Sequence, residues 1–395
     1  MTAASNDFDV IILGAGAAGL MCALTAGQRG RKVLLLERND KAGAKILISG
    51  GGRCNFTNLG VAPERFLSDN PHFCVSALRR YTQWDFIGLV ERHRIAYHEK
   101  TLGQLFCDGS ARAIVAMLLA ECAGGGVDLR LGQTIADVSK PDGFRVETNS
   151  GVFTAPALVL ATGGLSIPKM GATAFSHDAA RRFGLRVTET RPGLAPLRAK
   201  QGAPGFDPSL AGVSLEAAVS CGERSFREAI LFTHRGLSGP AILQISSYWR
   251  PGAAIAVDLL PGLDAAAYLK ERKRTRPKAL PQTVLAEVLP ARLAQVLAAA
   301  HLPSGEMANI PDRTLAGLAE RLNGWQFTPQ ETEGFAKAEV TVGGIDTRDL
   351  SSKTMEARNV SGLYAIGEAV DVTGWLGGYN FQWAWSSGWC AGQAI

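Results

Sequence analysis

Residues 9–37 read DVIILGAGAAGLMCALTAGQRGRKVLLLE, and this stretch decides the fold. Its first part, Asp9 to Leu13, is an apolar run with β-branched members, which is typical of a buried parallel strand. A glycine-rich turn and an apolar segment of helical composition follow, and a second strand over 32–36 ends at Glu37. The order strand, turn, helix, strand and acidic residue predicts an α/β domain that binds a dinucleotide.

The three glycines of this turn have separate mechanical roles. We expect Gly14 to make the tight turn, Gly16 to let a pyrophosphate approach the backbone, and Gly19 to let helix and strand pack closely. The phosphates then lie at the helix N-terminus, beside the backbone of Ala17 and Ala18, where free N–H groups and the helix dipole favour anions.

The residues after the second strand are the expected adenosine contacts. Glu37 falls 23 residues after Gly14, where a carboxylate can accept hydrogen bonds from ribose hydroxyls, and Arg38 is a neighbouring candidate. The uncharged run over 10–27 is long enough to be considered as a membrane span. Its four glycines and the acidic residues before it favour the phosphate-binding turn instead.

Composition sets the broad class of the protein. A chain of 395 residues exceeds one ordinary core and predicts two or three domains, and 46% hydrophobic against 19% charged residues excludes a disordered chain. Nineteen of the 45 glycines lie in residues 1–60 and 340–395, so both ends need backbone that side chains would obstruct. The net charge of +5 does not by itself establish a nucleic-acid partner.

Seven cysteines without a CxxC pair predict reduced thiols in a cytoplasmic protein. No spacing of ligand residues predicts a metal site. We expect neither a metal nor a membrane as a partner.

Three distant segments favour FAD over NAD. Residues 155–164 form a strand that ends in ATGG, and they resemble the returning strand of two-dinucleotide-fold flavoproteins. Residues 362–371 resemble the late FAD segment of the same class, in which an acidic residue holds the ribityl chain. The cofactor candidates in these two segments are Ala161, Thr162, Gly163, Gly164, Gly367, Glu368 and Asp371.

The third segment opens the last helix, which we expect from Phe381 to about residue 394. Gly377, Gly378 and Asn380 precede it as further cofactor candidates. A helix N-terminus aimed at the flavin would stabilise the negative charge of the reduced ring.

The segment over 43–58 reads GAKILISGGGRCNFTN, and here the chain resembles the BaiN/YhiN-like (RdsA-like) flavoprotein family, whose members carry a lysine followed by ISGGGRCN and TN. The resemblance continues through ATGG, FTHRGLSGP over 232–240, VTVGGI over 340–345 and the GGYN stretch, so it covers nearly the whole chain. Consecutive glycines can hold a pyrophosphate or the flavin edge with their N–H groups. The cofactor candidates of this segment are Lys45, Gly51, Gly52, Arg53, Cys54 and Asn55.

Cys54 has two interpretations. The glutathione-reductase class carries a redox pair Cys-x4-Cys after a similar turn, but Leu59 stands at that spacing, so no local disulfide can form. Cys54 is then either a packed thiol or a catalytic acid. A departure from relatives follows at 103–108, GQLFCD, where they tend to show Gly-Arg and then Phe-Pro.

The family resemblance implies a glutathione-reductase-type, Rossmann-like FAD domain with inserted subdomains. We expect the FAD domain over 1–188 and 340–395, a β-rich subdomain over 189–263 and 324–339, and a small helical subdomain over 264–323. Apolar positions over 284–300 predict an amphipathic helix.

Two features of the inserted part could contact a substrate. The basic segment Lys270 to Lys278, expected between strand and helix, is either a solvated face or an RNA contact. His234 either faces the flavin or stabilises a turn. A tryptophan cluster near the C-terminus, 375–389, predicts core packing, with Trp375 as a possible pocket residue.

The resemblance allows three functions. The first is reduction of a conjugated C=C bond, for example a uracil of ribosomal RNA to dihydrouridine, with NADPH or NADH as a transient reductant and Cys54, His234 or Tyr379 as the acid. The second is oxidation of a small amine such as aminoacetone. The third is a non-catalytic FAD-holding protein that binds a partner.

Overall fold

The structure is a computed structural model, which describes residues 8–200, 202 and 206–395. The chain forms two compact units, of which the first contains the residues up to Arg191 together with Val340–Ile395, and the second is Pro192–Glu339. Among the described residues, no helix combines the length and the apolar composition that crossing a membrane requires.

Helices and strands follow in chain order. The helices are α1 (Ala17–Gln28), α2 (Ala44–Gly52), α3 (Phe73–Arg80), α4 (Gln83–Arg92), α5 (Arg112–Gly124), α6 (Phe175–Arg182), α7 (Pro240–Ser246), α8 (Ala265–Thr275), α9 (Pro281–Leu285), α10 (Ala291–His301), α11 (Asp312–Gly324) and α12 (Tyr379–Ala394). The strands are β1 (Val10–Leu13), β2 (Val33–Leu36), β3 (Asn55–Asn58), β4 (Phe66–Leu67), β5 (Tyr97–Glu99), β6 (Gln104–Cys107), β7 (Asp128–Arg130), β8 (Ile135–Ser139), β9 (Phe144–Thr148), β10 (Gly151–Ala155), β11 (Ala157–Leu160), β12 (Arg191–Gly193), β13 (Leu197–Ala199), β14 (Ser214–Cys221), β15 (Arg224–Phe232), β16 (Gly236–Ser238), β17 (Ile255–Asp258), β18 (Trp325–Phe327), β19 (Pro329–Thr332), β20 (Val340–Val342), β21 (Leu363–Ala365) and β22 (Thr373–Gly374).

A five-stranded parallel sheet organises the first unit, in the order β21-β11-β1-β2-β7. Strands β1, β2 and β11 are buried along their whole length, as expected for strands that are covered on both faces. The predicted succession of strand, helix and strand at the start of the chain is confirmed by β1, α1 and β2. The predicted α/β class with a Rossmann-like sheet is therefore confirmed.

A seven-stranded antiparallel sheet organises the second unit, in the order β18-β17-β14-β15-β16-β13-β19. Helices α8 to α11 belong to this same compact unit. The amphipathic helix predicted over 284–300 is wrong as one element, because α9 ends at Leu285 and α10 begins at Ala291. Pro290 explains the break, since proline lacks the N–H that an interior helical residue donates and its ring obstructs the preceding turn.

Helix α12 packs closely against α1 through two small residues. A Cβ atom on Gly388 would lie 2.5 Å from the carbonyl oxygen of Ala18, and one on Gly392 would lie 2.8 Å from that of Cys22. Trp383 and Trp385 are fully buried on the same helix, which confirms the predicted core packing for these two, whereas Trp389 is half-buried at the edge of the core. The C-terminal helix is thereby fixed against the helix that follows the glycine-rich turn.

Gly388→Ala is expected to destabilise the protein by about 1–3 kcal/mol, because the added methyl group forces the two helices apart. Urea unfolding measures the change. Gly124→Ala on α5 is the matched control, since a Cβ there meets no atom within 4 Å and should leave stability unchanged or raise it by about 0.5–1 kcal/mol. Equal stability of the two variants would contradict the packing described for Gly388.

Candidate dinucleotide site

The glycine-rich turn leaves bare backbone at the start of α1. Gly14 has φ 104°, and a Cβ on it would lie 2.6 Å from the carbonyl oxygen of Ala161. A Cβ on Gly19 would lie 1.9 Å from the carbonyl oxygen of Gly14, so helix and turn touch there. A Cβ on Gly16 meets nothing within 4 Å, and no side chain caps the helix that begins at Ala17. The open space beside Gly16 fits the pyrophosphate of a dinucleotide.

The carboxylate of Glu37 is fixed at the end of β2. One oxygen accepts from the backbone N–H of Ala15 at 2.8 Å, and the other accepts from that of Asn39 at 2.9 Å. Each carboxylate oxygen has a second acceptor position, so ribose hydroxyls can still donate to it. Arg38 is exposed and makes no side-chain hydrogen bond or ion pair within the described chain.

The ATGG segment lies at the same edge of the sheet. The Ala161 N–H donates to the carbonyl oxygen of Leu13 at 2.9 Å, and Thr162 shares a 2.6 Å hydrogen bond with Ser176. Gly163 has φ 78°, and a Cβ on Gly164 would lie 2.4 Å from Oγ1 of Thr341. The carboxyl ends of β1 and β11 therefore lie side by side, which is where parallel α/β sheets bind ligands.

A half-buried ionic network joins α2 to the turn after β21. Nζ of Lys45 lies 2.6 Å from Oε2 of Glu368, and it also donates to Oγ of Ser166 at 2.6 Å. The other oxygen of Glu368 accepts from Ser166 Oγ at 2.6 Å and from the Thr341 N–H at 2.9 Å. Burial raises the pKa of the Glu368 carboxyl, but the Lys45 ammonium and these hydrogen bonds outweigh burial, so its pKa lies below the ordinary value.

Sequence reasoning placed Lys45 and Glu368 among the cofactor contacts and missed Ser166 and Thr341. Both missed residues lie in segments that carry the family resemblance, directly after ATGG and within VTVGGI. That position was the signal available in the sequence. Three side chains and one backbone N–H group are therefore joined in a single hydrogen-bonded network within the first unit.

Lys45→Met is expected to lower the free energy of unfolding of FAD-free protein at pH 7 by about 1–3 kcal/mol, because it removes charge-assisted hydrogen bonds from a largely buried carboxylate. The pKa of Glu368 is lower in the folded protein than in the unfolded chain, so the pair stabilises the fold above about pH 4.3, and this contribution disappears as the pH falls through the folded pKa. Urea unfolding at pH 7 and in acid measures both values.

Lys41→Met serves as the control for that experiment, since Lys41 is exposed and makes no ion pair within the described residues. It should change stability by less than about 0.5 kcal/mol. A Lys45→Met variant as stable as the Lys41 variant at pH 7 would show that the network does not hold the turn.

Asp371 lies buried a few residues after Glu368. Its Oδ2 accepts from the Asp69 N–H at 3.0 Å, and Oγ of Ser68 lies 3.5 Å away. Burial, together with the carboxylates of Asp69 and Asp346, raises its pKa to about 6. Asp371 thus ties the turn to the segment before α3, in addition to its predicted place near the cofactor.

The ISGGGRCN segment forms a loop of left-handed backbone at the end of α2. Gly50, Gly51 and Gly52 have φ values of 56°, 67° and 85°. A Cβ on Gly51 meets nothing within 4 Å, so its backbone faces open space. Arg53 is exposed beside it. Such a run of exposed N–H groups is a concavity that favours anionic or polar ligand edges.

Cys54 follows this loop and is fully buried, with φ 54°. Burial raises the pKa of its thiol to about 12, and the nearby Cys107 acts in the same direction. All seven cysteines are free thiols. These features describe a packed thiol, one of the two interpretations that the sequence left open.

A glycine pair and Asn380 shape the turn at the start of α12. Gly377 and Gly378 have φ values of 112° and 96°, and α12 begins at Tyr379, two residues before the predicted Phe381. The Asn380 amide bonds with the N–H and carbonyl of Gly374, at 2.8 Å and 2.9 Å. No side chain caps the N-terminus of α12, and its predicted contact with the flavin stays a prediction.

Gln104 contacts the same turn, and it lies in the segment where the sequence resemblance predicts a departure from the family pattern. Its side-chain amide hydrogen-bonds with that of Asn55 across 2.9 Å. A Cβ on Gly377 would lie 3.0 Å from the Gln104 side chain. The departure from the family pattern therefore lies beside the candidate flavin site rather than at a remote surface.

Tyr379 is buried and belongs to a cluster that the sequence did not predict. An N–H of Arg65 donates to its hydroxyl oxygen, and the guanidinium lies 5.6 Å from the Tyr379 ring centre and 5.7 Å from that of Trp375. Phe66 packs edge-on against Tyr379. Trp375, half-buried, joins this cluster rather than the deep core.

His234 belongs to the second unit and is exposed. It lies on the turn between β15 and β16. This turn is closed by a hydrogen bond of 2.8 Å, which the Thr233 N–H donates to the carbonyl oxygen of Gly236. Cys54 and Tyr379 are buried in the first unit. Among the three predicted acids, His234 alone is exposed.

The basic segment lies mostly on a helix, so the expected position between strand and helix is wrong. Residues 270–275 form the second half of α8. Arg272 and Arg276 both pair with Glu287, and Lys273 pairs with Asp312 at 2.7 Å. Three exposed cations of the segment make no ion pair within the described part of the chain, and they are Lys270, Arg274 and Lys278.

The chain is similar to known proteins over nearly its whole length. The family model described as the HI0933-like protein Rossmann domain matches residues 8–394. The ribosomal RNA dihydrouridine synthase of Escherichia coli strain K12 is 52% identical over 98% of each chain. The 3-dehydro-bile acid delta(4,6)-reductase of Clostridium scindens is 28% identical over 97% of this chain and 98% of its own. The Mycobacterium smegmatis Sdh1 complex in the apo form, at 16% identity, shares the fold with a TM-score of 0.50 over 99% of this chain and 68% of that one.

Proposed function

The chain belongs to the family of the HI0933-like protein Rossmann domain and is an FAD-dependent oxidoreductase, and we propose that it reduces a uracil of ribosomal RNA to dihydrouridine. The observation that carries this proposal is the 52% identity, over nearly the full length of both chains, to a protein named for that reaction. The more distant bile acid reductase is also named for reduction, which supports a reductive use of the site.

FAD supplies the two-electron reduction when it is bound, and the chain's own residues hold and orient it. The open backbone at Gly16 receives the pyrophosphate, and Glu37 accepts from the adenosine ribose. Glu368, fixed by Lys45, accepts from the ribityl hydroxyls. The N-terminus of α12 after Gly378 stabilises negative charge on the ring.

The remaining proposed FAD contacts lie in the same segments of the chain as these residues. They are Ala17, Ala18, Gly51, Gly52, Arg53, Asn55, Ala161, Thr162, Gly163, Gly164, Gly367, Asp371, Gly377, Asn380 and Phe381. Arg38, an exposed cation directly after Glu37, is a further proposed contact at the adenosine end.

His234 is the proposed proton donor. Reduction of a C=C bond adds a proton to one carbon, and an imidazole holds and releases a proton near neutral pH. His234 is exposed on its turn, whereas Cys54 is buried with a pKa of about 12 and Tyr379 is buried against Arg65. Cys54 and Tyr379 then shape the site without donating the proton.

The unpaired cations Lys270, Arg274 and Lys278 are the proposed contacts to the RNA backbone. Lys270 and Arg274 are four residues apart on α8 and share a helix face. Exposed cations that have no internal partner release counterions when they bind phosphates. Arg272, Lys273 and Arg276 act within the protein through their ion pairs.

Anaerobic spectroscopy of the FAD-loaded protein tests the electron source and the direction of the reaction. We expect NADPH or NADH to bleach the flavin absorbance and unmodified ribosomal RNA to restore it. Failure of both nucleotides to bleach the flavin would rule out a pyridine-nucleotide reductant. Bleaching by aminoacetone, followed by peroxide release in air, would support the amine oxidase that the sequence also allows.

A further inference from the structure

A polar cavity of about 410 Å³, wide open to solvent, lies at the surface of the first unit. Its polar lining comes from Asn70, His72, Thr347, Arg348, Ser352 and Arg358. None of these residues belongs to the candidate dinucleotide site, and no carboxylate is among the lining residues. Two guanidinium groups, an imidazole, an amide and two hydroxyls form a set of groups that can all donate hydrogen bonds to an anion.

The carboxylates of Asp346 and Asp69 behind this cavity act on Arg348 and do not pair with Arg358. Arg348 binds both oxygens of Asp346, at 2.9 Å and 2.5 Å. Arg186 neutralises Asp349 in the same way, with the shortest contact at 2.5 Å. Arg358 makes no side-chain hydrogen bond or ion pair with any part of the chain that the structure describes. One guanidinium is therefore left with its donors available at the cavity.

Thr347 supplies a second, independent observation. The residue is 1% exposed and lines the cavity, and its hydroxyl has no hydrogen-bond partner among the described residues. A buried hydroxyl without a partner costs about 1–3 kcal/mol, so such groups normally meet a ligand or an ordered water.

Helix α3 also begins at this cavity. His72 is its first flanking residue, and no side chain caps the helix. The partial positive charge of a helix N-terminus favours an anion in addition to the arginines.

From this cavity we propose that the protein binds a phosphate group at a second site, apart from the dinucleotide. A guanidinium group can donate two parallel hydrogen bonds to the oxygens of one phosphate. The volume of the cavity also leaves room for the groups attached to that phosphate. The phosphate belongs either to an RNA strand or to a small phosphorylated ligand. The RNA source rests on the proposed function, whereas the phosphate assignment does not.

Two arms of one experiment separate these sources, with Arg358→Gln as the test variant and Arg31→Gln as its control. Arg31 is exposed, lies shortly before β2 and makes no side-chain hydrogen bond or ion pair within the described residues. In the first arm, binding of an unmodified ribosomal RNA fragment to FAD-loaded protein is measured against salt concentration. The slope of log affinity against log salt concentration is negative. Arg358→Gln should make it shallower by about 0.7–0.9, and Arg31→Gln should leave it unchanged.

In the second arm, inorganic phosphate is titrated against each protein and the Tm is recorded. Phosphate should raise the Tm of the natural protein and fail to raise that of Arg358→Gln. Without phosphate, Thr347→Val should be at least as stable as the natural protein, because it removes a buried hydroxyl that has no partner among the described residues, but its Tm should rise less when phosphate is added.

A changed RNA slope identifies an RNA phosphate, and a lost phosphate response with an unchanged slope identifies a small phosphorylated ligand. If Arg358→Gln alters neither, the second site is overturned. Neither arm measures dihydrouridine. The second phosphate site can therefore be disproved while the proposed reaction is confirmed, and the reaction can be disproved while the site is confirmed.

Discussion

Gly16→Val is expected to abolish FAD binding while the protein stays folded. The Gly16 backbone has φ −81°, which valine adopts, and a Cβ there meets no protein atom within 4 Å. The new side chain therefore fills only the space that the pyrophosphate needs. We expect the Kd for FAD to rise at least about 100-fold, which corresponds to about 2.8 kcal/mol. Flavin absorbance after dialysis and a fluorescence titration of FAD measure it.

Two further glycine variants make this result specific. Gly109→Val is the control, since Gly109 is exposed and a Cβ on it also meets nothing within 4 Å, so FAD binding should be unchanged. Gly19→Ala should instead unfold or strongly destabilise the protein, because its Cβ would lie 1.9 Å from the Gly14 carbonyl oxygen. If Gly16→Val binds FAD with the affinity of the natural protein, the pyrophosphate does not bind beside Gly16.

His234→Gln is expected to lower kcat for dihydrouridine formation by about 100- to 10,000-fold with FAD content unchanged, because glutamine bonds similarly but cannot donate a proton near neutral pH. The side chain is exposed on a turn that Thr233 and Gly236 close through backbone bonds, so the fold should not depend on it. Single-turnover oxidation of prereduced protein by RNA separates this step from flavin reduction.

The control for that variant is His301→Gln, which changes a histidine on α10 of the same unit. It should retain natural kcat. Cys54→Ala and Tyr379→Phe, made in parallel, should each cost less than His234→Gln. A kcat for His234→Gln within threefold of the natural value, alongside a large loss for Tyr379→Phe, would assign the proton to the tyrosine.

The sequence predicted the parts of the site that are local. Strand β1, the glycine turn, α1 and β2 follow one another within about thirty residues, so spacing alone determined their order. The close packing at Gly19 was equally predictable, because its Cβ would meet the carbonyl oxygen of Gly14 within the same motif, whereas the close contact of Gly14 is with Ala161 in a distant segment.

Contacts between distant segments could not be predicted in the same way. Lys45 and Glu368 are 323 residues apart in the sequence, and no periodicity relates them. Arg65 and Tyr379 are separated by 314 residues, and their contact depends on how α12 packs. The break at Pro290 was readable from the sequence, since proline interrupts helices, but the apolar stripe over 284–300 concealed it.

Cys54 shows where burial decides between two chemical interpretations. A single cysteine after a glycine run can be reactive or inert, and the sequence holds no information on its exposure. The structure buries the thiol fully beside Cys107, and its pKa rises to about 12. Solvent exclusion of this kind arises from tertiary packing and not from the local pattern.

Mass spectrometry of ribosomal RNA tests the central claim most directly. A strain that lacks this gene is complemented with the natural protein or with Gly16→Val, and nucleosides from its ribosomal RNA are analysed for dihydrouridine. The proposal predicts dihydrouridine with the natural protein and none with the empty strain or with Gly16→Val. Equal dihydrouridine in all three strains would contradict it.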